Sequence, residues 1–157
     1  MSSSSPLVGK LESSTEIEAS AEMFHHMLLH KPHHVSNASP NHVQACDLHH
    51  SDWGKEGSII CWTYFLKGKA KTAKEVVESV DPKNNSFTLR VLEGDILEEF
   101  KNVLVKCKAT PSAKGSGCVV QWVLEYEKLR EDVADPVTTM EMLVEVGKDM
   151  GAHLTKP

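Results

Sequence analysis

The chain has 157 residues, 40% of them hydrophobic and 25% charged, a composition ordinary for one soluble globular domain with a substantial core. Its formal net charge of −5, with no block of lysine or arginine, argues against a nucleic-acid partner, because phosphate-backbone binding is driven largely by cationic side chains. No apolar run reaches bilayer-spanning length and Met1-Ser2-Ser3-Ser4-Ser5-Pro6 has no signal-peptide pattern, so a cytoplasmic location is expected, with one domain over 1–157 and disorder over 1–6.

Leu7 to Glu18 alternates between apolar or small residues and charged or hydroxyl ones, the pattern of a half-exposed strand. Ser20 offers an N-cap to a short amphipathic helix over Ala21 to His30, with Met23, Phe24, Met27 and Leu28 expected on its apolar stripe and Lys31-Pro32 ending it. Pro32 to Pro40 has room for one or two further helical turns. A strand over Val43 to His50 follows, but its alternation does not say which residues point inward. The glycine-bearing turn Asp52-Trp53-Gly54-Lys55-Glu56-Gly57 precedes a strand over Ser58 to Phe65, rich in β-branched and aromatic residues. Gly68-Lys69 turns into a strand over Ala70 to Val80, and Asp81-Pro82-Lys83-Asn84-Asn85 turns into another over Ser86 to Leu92. Val103, Val105 and Cys107 mark one face of the next strand. After a turn at Pro111 to Gly117, Val120, Trp122, Leu124 and Tyr126 form the greasy face of the last. A long helix from Asp135 carries Val137, Met140, Leu143, Val144, Gly147, Met150 and Leu154 on the stripe expected to meet the sheet. Sequential strands joined by short turns imply an antiparallel sheet, so the fold class is α+β.

Five blocks of this sequence, in order, resemble the plant major latex proteins, a branch of the superfamily typified by the birch-pollen allergen and the pathogenesis-related class ten proteins. They are Lys31-Pro32-His33-His34-Val35, Cys46-Asp47-Leu48-His49, Asp52-Trp53-Gly54-Lys55-Glu56-Gly57-Ser58, Arg90-Val91-Leu92-Glu93-Gly94-Asp95 and Leu124-Glu125-Tyr126-Glu127-Lys128. The resemblance runs from about Leu7 to Leu154. It implies the helix-grip fold of START-like proteins, a curved seven-stranded antiparallel sheet around a long C-terminal helix, with two short helices closing one end of a large cavity. It also implies binding of apolar or amphipathic small molecules and a link to plant defence and stress responses. Fatty acids, sterol-like hormones and phenolic metabolites are the ligand classes expected.

On the residues alone, inward stripes of this kind read first as ordinary core. With the resemblance they read as a pocket wall, and the expected ligand-binding residues are Met27, Leu28, Ile60, Trp62, Tyr64, Phe87, Leu89, Val103, Val105, Val120, Trp122, Leu124, Met140, Leu143, Gly147 and Met150. Met23, Met27, Met140, Met142 and Met150 suit a pliable wall, since unbranched thioether chains repack around different guests. Gly147 is costly in a helix interior by about 1 kcal/mol relative to alanine. It reads either as room left for a guest or as a close approach of the helix to a strand; the first is expected, so that Gly147→Leu would keep or raise stability while lowering ligand affinity.

Other constellations are weaker. The turn near Trp53 has no Lys-Ser/Thr pair to complete a phosphate-binding loop and reads as a rigid hairpin at the cavity rim. His26 and His30 are four apart on one helix, with His33, His34 and His49 as possible third ligands, but no carboxylate or cysteine completes a tetrahedral set, and the histidines read as solvated or capping groups. The four cysteines, Cys46, Cys61, Cys107 and Cys118, lack CxxC spacing and read as reduced structural thiols. Lys55, Glu75, Glu98, Glu99 and His153, the candidates for acid–base chemistry in the alternative reading as a weak ribonuclease, are scattered and read as a solvated face. The expectation is a non-enzymatic ligand carrier or sensor, monomer or weak dimer, with no metal and no cofactor.

Overall fold

The computed structural model describes residues 6–156. Apart from Pro6, which stands in a turn, the segment expected to be disordered lies outside the described residues. The elements are β1 (Val8–Ile17), α1 (Ala21–His30), α2 (Val35–Ala38), β2 (Val43–His50), β3 (Ile59–Leu66), β4 (Lys69–Asp81), β5 (Ser86–Gly94), β6 (Phe100–Pro111), β7 (Cys118–Lys128) and α3 (Val137–Leu154), with short 3-10 turns between some of them. All seven strands form one antiparallel sheet in the order β1-β7-β6-β5-β4-β3-β2. The first strand pairs with the last, and α3 returns across the concave face.

Local chemistry sets each piece. In β7 the residues Val120, Trp122, Leu124 and Tyr126 are all buried while their neighbours are half-exposed, because successive side chains of a strand alternate between faces. The β3–β4 hairpin turns at Lys67-Gly68, both with positive φ (52° and 77°), the backbone twist that two-residue hairpins favour. Gly9 of β1 lies opposite Tyr126, and a Cβ there would stand 2.5 Å from the tyrosine ring, so the ring takes the place of a side chain. Tyr126 packs edge-on against Phe100 at 5.2 Å and donates a hydrogen bond from its hydroxyl to Asp135 Oδ1 at 2.6 Å, which Lys128 also approaches at 3.3 Å. These contacts fix the approach to α3.

The Ser20 side chain accepts from Met23 N–H at 3.1 Å and caps α1 as its sequence position predicts. The apolar stripe of α1 is rotated from the expected one: Met23 is 49% exposed, while Phe24, His25, Met27, Leu28 and Leu29 are buried. β2 has register shifts between Val43 and Ala45 and again between Leu48 and His50. Its buried residues, Val43 and Cys46, are consequently three apart, which hides the period of two that would reveal a face.

Helix α3 presents two adjacent faces, not one stripe. At about 100° per residue, Met140, Val144, Gly147 and Gly151 fall together, and Thr139, Met142, Leu143 and Val146 fall beside them. The first set faces β1 and β7: Met140 and Val144 line a groove with Leu11 and Ser13, a Cβ on Gly151 would lie 2.9 Å from Ile17 Cβ, and one on Gly147 would lie 3.3 Å from Trp122 Nε1. Val137, expected on the buried stripe, is 51% exposed.

Gly147 therefore serves close packing and does not open a void, which corrects the expectation that a larger side chain would be welcome there. Substitution by leucine drives a branched chain into a buried indole, and overpacking of that kind costs about 1–3 kcal/mol. Gly147→Leu is expected to lower the unfolding free energy by about that amount in urea melts, whereas Gly147→Ala, whose helix propensity offsets a contact a few tenths of an ångström too tight, is expected to stay within about 1 kcal/mol of the wild type.

Candidate functional site

A cavity of about 100 Å³ lies between α3 and the concave sheet. β3 contributes Trp62 and Tyr64, β4 Ala73 and Glu75, β5 Phe87, Leu89 and Val91, β6 Val103 and Val105, and β7 Trp122 and Leu124. Leu28 of α1, Val43 of β2 and Ile96 after β5 close the sides, and α3 supplies Thr139, Met142, Leu143 and Val146. The void is smaller than the roughly 300–1,000 Å³ of most small-molecule pockets. A guest of ordinary size must displace wall side chains, and Trp62, Ile96, Met142 and Leu143 are the half-buried ones best able to yield.

Ten of the sixteen residues expected to bind ligand come together on this wall: Leu28, Trp62, Tyr64, Phe87, Leu89, Val103, Val105, Trp122, Leu124 and Leu143. Met27, Ile60, Val120, Met140 and Met150 are buried elsewhere in the core, and Gly147 packs on Trp122. Of the methionines expected to form a pliable wall, Met142 lines the cavity and the other four do not. Val43, Ala73, Val91, Ile96, Thr139 and Val146 complete it without having been singled out. For Ala73 and Val91 the alternation of β4 and β5 was an available signal; for Val43 the bulge in β2 removed it.

Glu75 is the main correction. It is buried at 6% exposure in the apolar wall, not solvated, because Ala73, Glu75 and Val77 share the inner side of β4. Its carboxyl is hydrogen-bonded by the Trp62 indole, while its Oε1 has no partner among the described residues. Burial raises its pKa to about 7, against the opposing pull of the indole. The same charge, after burial itself, pushes Tyr64 up to about 12 and the Cys46 thiol upward, so both stay protonated at neutral pH.

The Pathogenesis-related protein Bet v 1 family model matches residues 6–157. The chain belongs to the Bet v 1 family. MLP-like protein 28 of Arabidopsis thaliana is 53% identical over 150 residues, covering 96% of this chain but only 45% of its own length. The chain thus spans about half the length of that relative. MLP-like protein 43 of the same plant is 47% identical over 154 residues and is covered to 98%, as is this chain. A crystal structure of ginseng major latex-like protein 151 from Panax ginseng superposes with a TM-score of 0.90 at 38% identity, over 96% of this chain and 99% of that one. The helix-grip fold is therefore shared with major latex-like proteins.

The histidines of this Bet v 1 family member do not stand as solvated groups throughout. His25 is buried against Phe87 at 5.9 Å, and burial, then the nearby His30, lowers its pKa. His26 stacks on His30 at 5.2 Å and His33 stacks on Trp53 at 4.3 Å, ring on ring. Gly54, with φ of 81°, passes so close to the His30 ring that a side chain there would collide with it, which ties the Trp53 turn to the end of α1.

The raised pKa of Glu75 has a definite consequence for stability. The folded protein holds this proton more tightly than the unfolded chain, so the contribution of Glu75 is full below its ordinary pKa of 4.5 and is lost as pH rises through about 7. Relative to Glu75→Gln, wild-type stability is expected to fall by roughly 3 kcal/mol between about pH 4.5 and about pH 8, read from paired denaturant melts. His25 acts in the opposite direction, losing stability as pH falls below 6.5, but it is present in both proteins and cancels in the difference. Parallel pH profiles for the two proteins would show that Glu75 is not buried.

Proposed function

We propose that this chain binds apolar or amphipathic small molecules in the cavity between α3 and strands β3 to β7, acting as a non-enzymatic carrier or sensor. The observation that carries this reading is the wall itself: aromatic and aliphatic side chains from five strands and α3 converge on a space that none of the described residues fills. Fatty acids, sterol-like hormones and phenolic metabolites are the classes it was expected to accept, and the family's description as pathogenesis-related supports a place in plant defence or stress responses. A cytoplasmic monomer or weak dimer fits that role. The ribonuclease alternative finds less support, since Lys55 is in the β2–β3 turn, Glu75 in β4, Glu98 and Glu99 before β6 and His153 at the end of α3, on separate elements.

The uncharged dye N-phenyl-1-naphthylamine is expected to bind with saturable fluorescence at one site per chain. Leu143→Trp, which extends a half-buried wall residue into the void, is expected to weaken dye affinity by about tenfold or more while the fold persists, its stability within about 1–3 kcal/mol of the wild type. A folded wild-type protein with no saturable site would show that the cavity does not take guests.

A further inference from the structure

The cavity carries one acid and no cation. Among its lining residues none is lysine, arginine or histidine, and Glu75 is the sole carboxyl. A buried acceptor without a partner is costly, by an amount comparable to a lost hydrogen bond, and Oε1 of Glu75 is such an acceptor. The groups around it do not supply the missing partner. Trp62 of β3 engages the carboxyl, Val91 is its β5 neighbour, and α3 brings Thr139, Met142 and Val146 to the cavity, none of them ionisable. Cys46 of β2 and Cys61 and Tyr64 of β3, the ionisable groups raised by its charge, stay neutral. Lys74, next to it in β4, pairs instead with Glu93 at 3.2 Å.

Resting on the proposed cavity reading, we infer that the polar end of the guest is a hydrogen-bond donor without negative charge, an alcohol, phenol or amine, and that Glu75 selects it over a carboxylate of the same chain length. A hydroxyl or ammonium places a proton on the orphaned oxygen and removes the cost of leaving it unpaired. A carboxylate offers no proton and brings a second negative charge into an apolar site with no cation to offset it. Two carboxyl groups so placed must share a proton or repel. Free fatty acids are thereby the poorest of the expected classes, and hydroxyl-bearing sterol-like or phenolic molecules the best.

Displacement of bound N-phenyl-1-naphthylamine at about pH 8, where Glu75 is mostly ionised, tests this with 1-dodecanol, dodecylamine and dodecanoate, each below its micelle concentration. Dodecanol and dodecylamine are expected to displace the dye at concentrations about tenfold or more below dodecanoate. Glu75→Gln, which keeps the shape and removes the charge, is expected to narrow that gap by strengthening dodecanoate and weakening the amine. Equal displacement by dodecanoate and dodecanol from the wild type overturns the inference, with no need for the variant. Dye binding that none of the three probes reverses also overturns it while leaving the cavity reading in place, and absence of dye binding defeats both.

Discussion

The distance between α3 and the sheet is set by two glycines, and the rest of the molecule depends on it. Gly147 and Gly151 let the C-terminal half of the helix lie directly on Trp122 and Ile17, where even a methyl group would have to push a neighbour aside. With that half seated over β1 and β7, the other side of the helix, from Thr139 to Val146, is held over the middle strands without touching all of them, and the space left is the cavity. Helix-interior glycine is unfavourable by about 1 kcal/mol relative to alanine, and close packing over a buried indole is the compensation. The end of α2 fastens the same end of the helix, since Ser39, the fully buried residue that follows it, donates to Asp149 Oδ2 at 2.6 Å. At the opposite end Asp135, held by Tyr126 and Lys128, fixes where the helix begins.

Against this apolar frame Glu75 stands out as a group that weakens the fold where it sits. A glutamine or leucine in its place would avoid the cost of burying a charge at neutral pH. Residues that break a local rule of folding without a structural return are concentrated at functional sites. Here the broken rule and the cavity coincide, which links the energetics of the sheet to the chemistry of its guest.

Legibility from the sequence followed the physics of each element. β7 was plain because a strand with one buried face alternates strictly, and the order of one strand, two short helices, six strands and a long helix follows from turn residues and periodicity alone. β2 was opaque because its register shifts put buried residues three apart. α3 reads as one stripe in the sequence because helical periodicity marks apolar positions without saying what each meets. Met140 and Leu143 belong to neighbouring faces with different partners, β1 and the cavity. Residue type alone places Glu75 at the surface, as carboxylates are seldom buried, whereas its position between Ala73 and Val77 in the alternation of β4 points it inward. Met23 and His25 exchanged their expected places for a related reason: a ten-residue helix has room for a rotation of one position without losing its amphipathic look.

The methionine methyl groups report directly on where a guest sits. Among the described residues, Met142 alone of the methionines lines the cavity, while Met140 and Met150 are buried on α3 outside it and Met23 is exposed on α1. With the methyl carbons isotopically labelled and 1-dodecanol added, the NMR signal of Met142 is predicted to shift most and those of Met140, Met150 and Met23 little. A saturable shift led by Met140 or Met23, with Met142 unmoved, would contradict the placement of the binding site between α3 and the middle of the sheet.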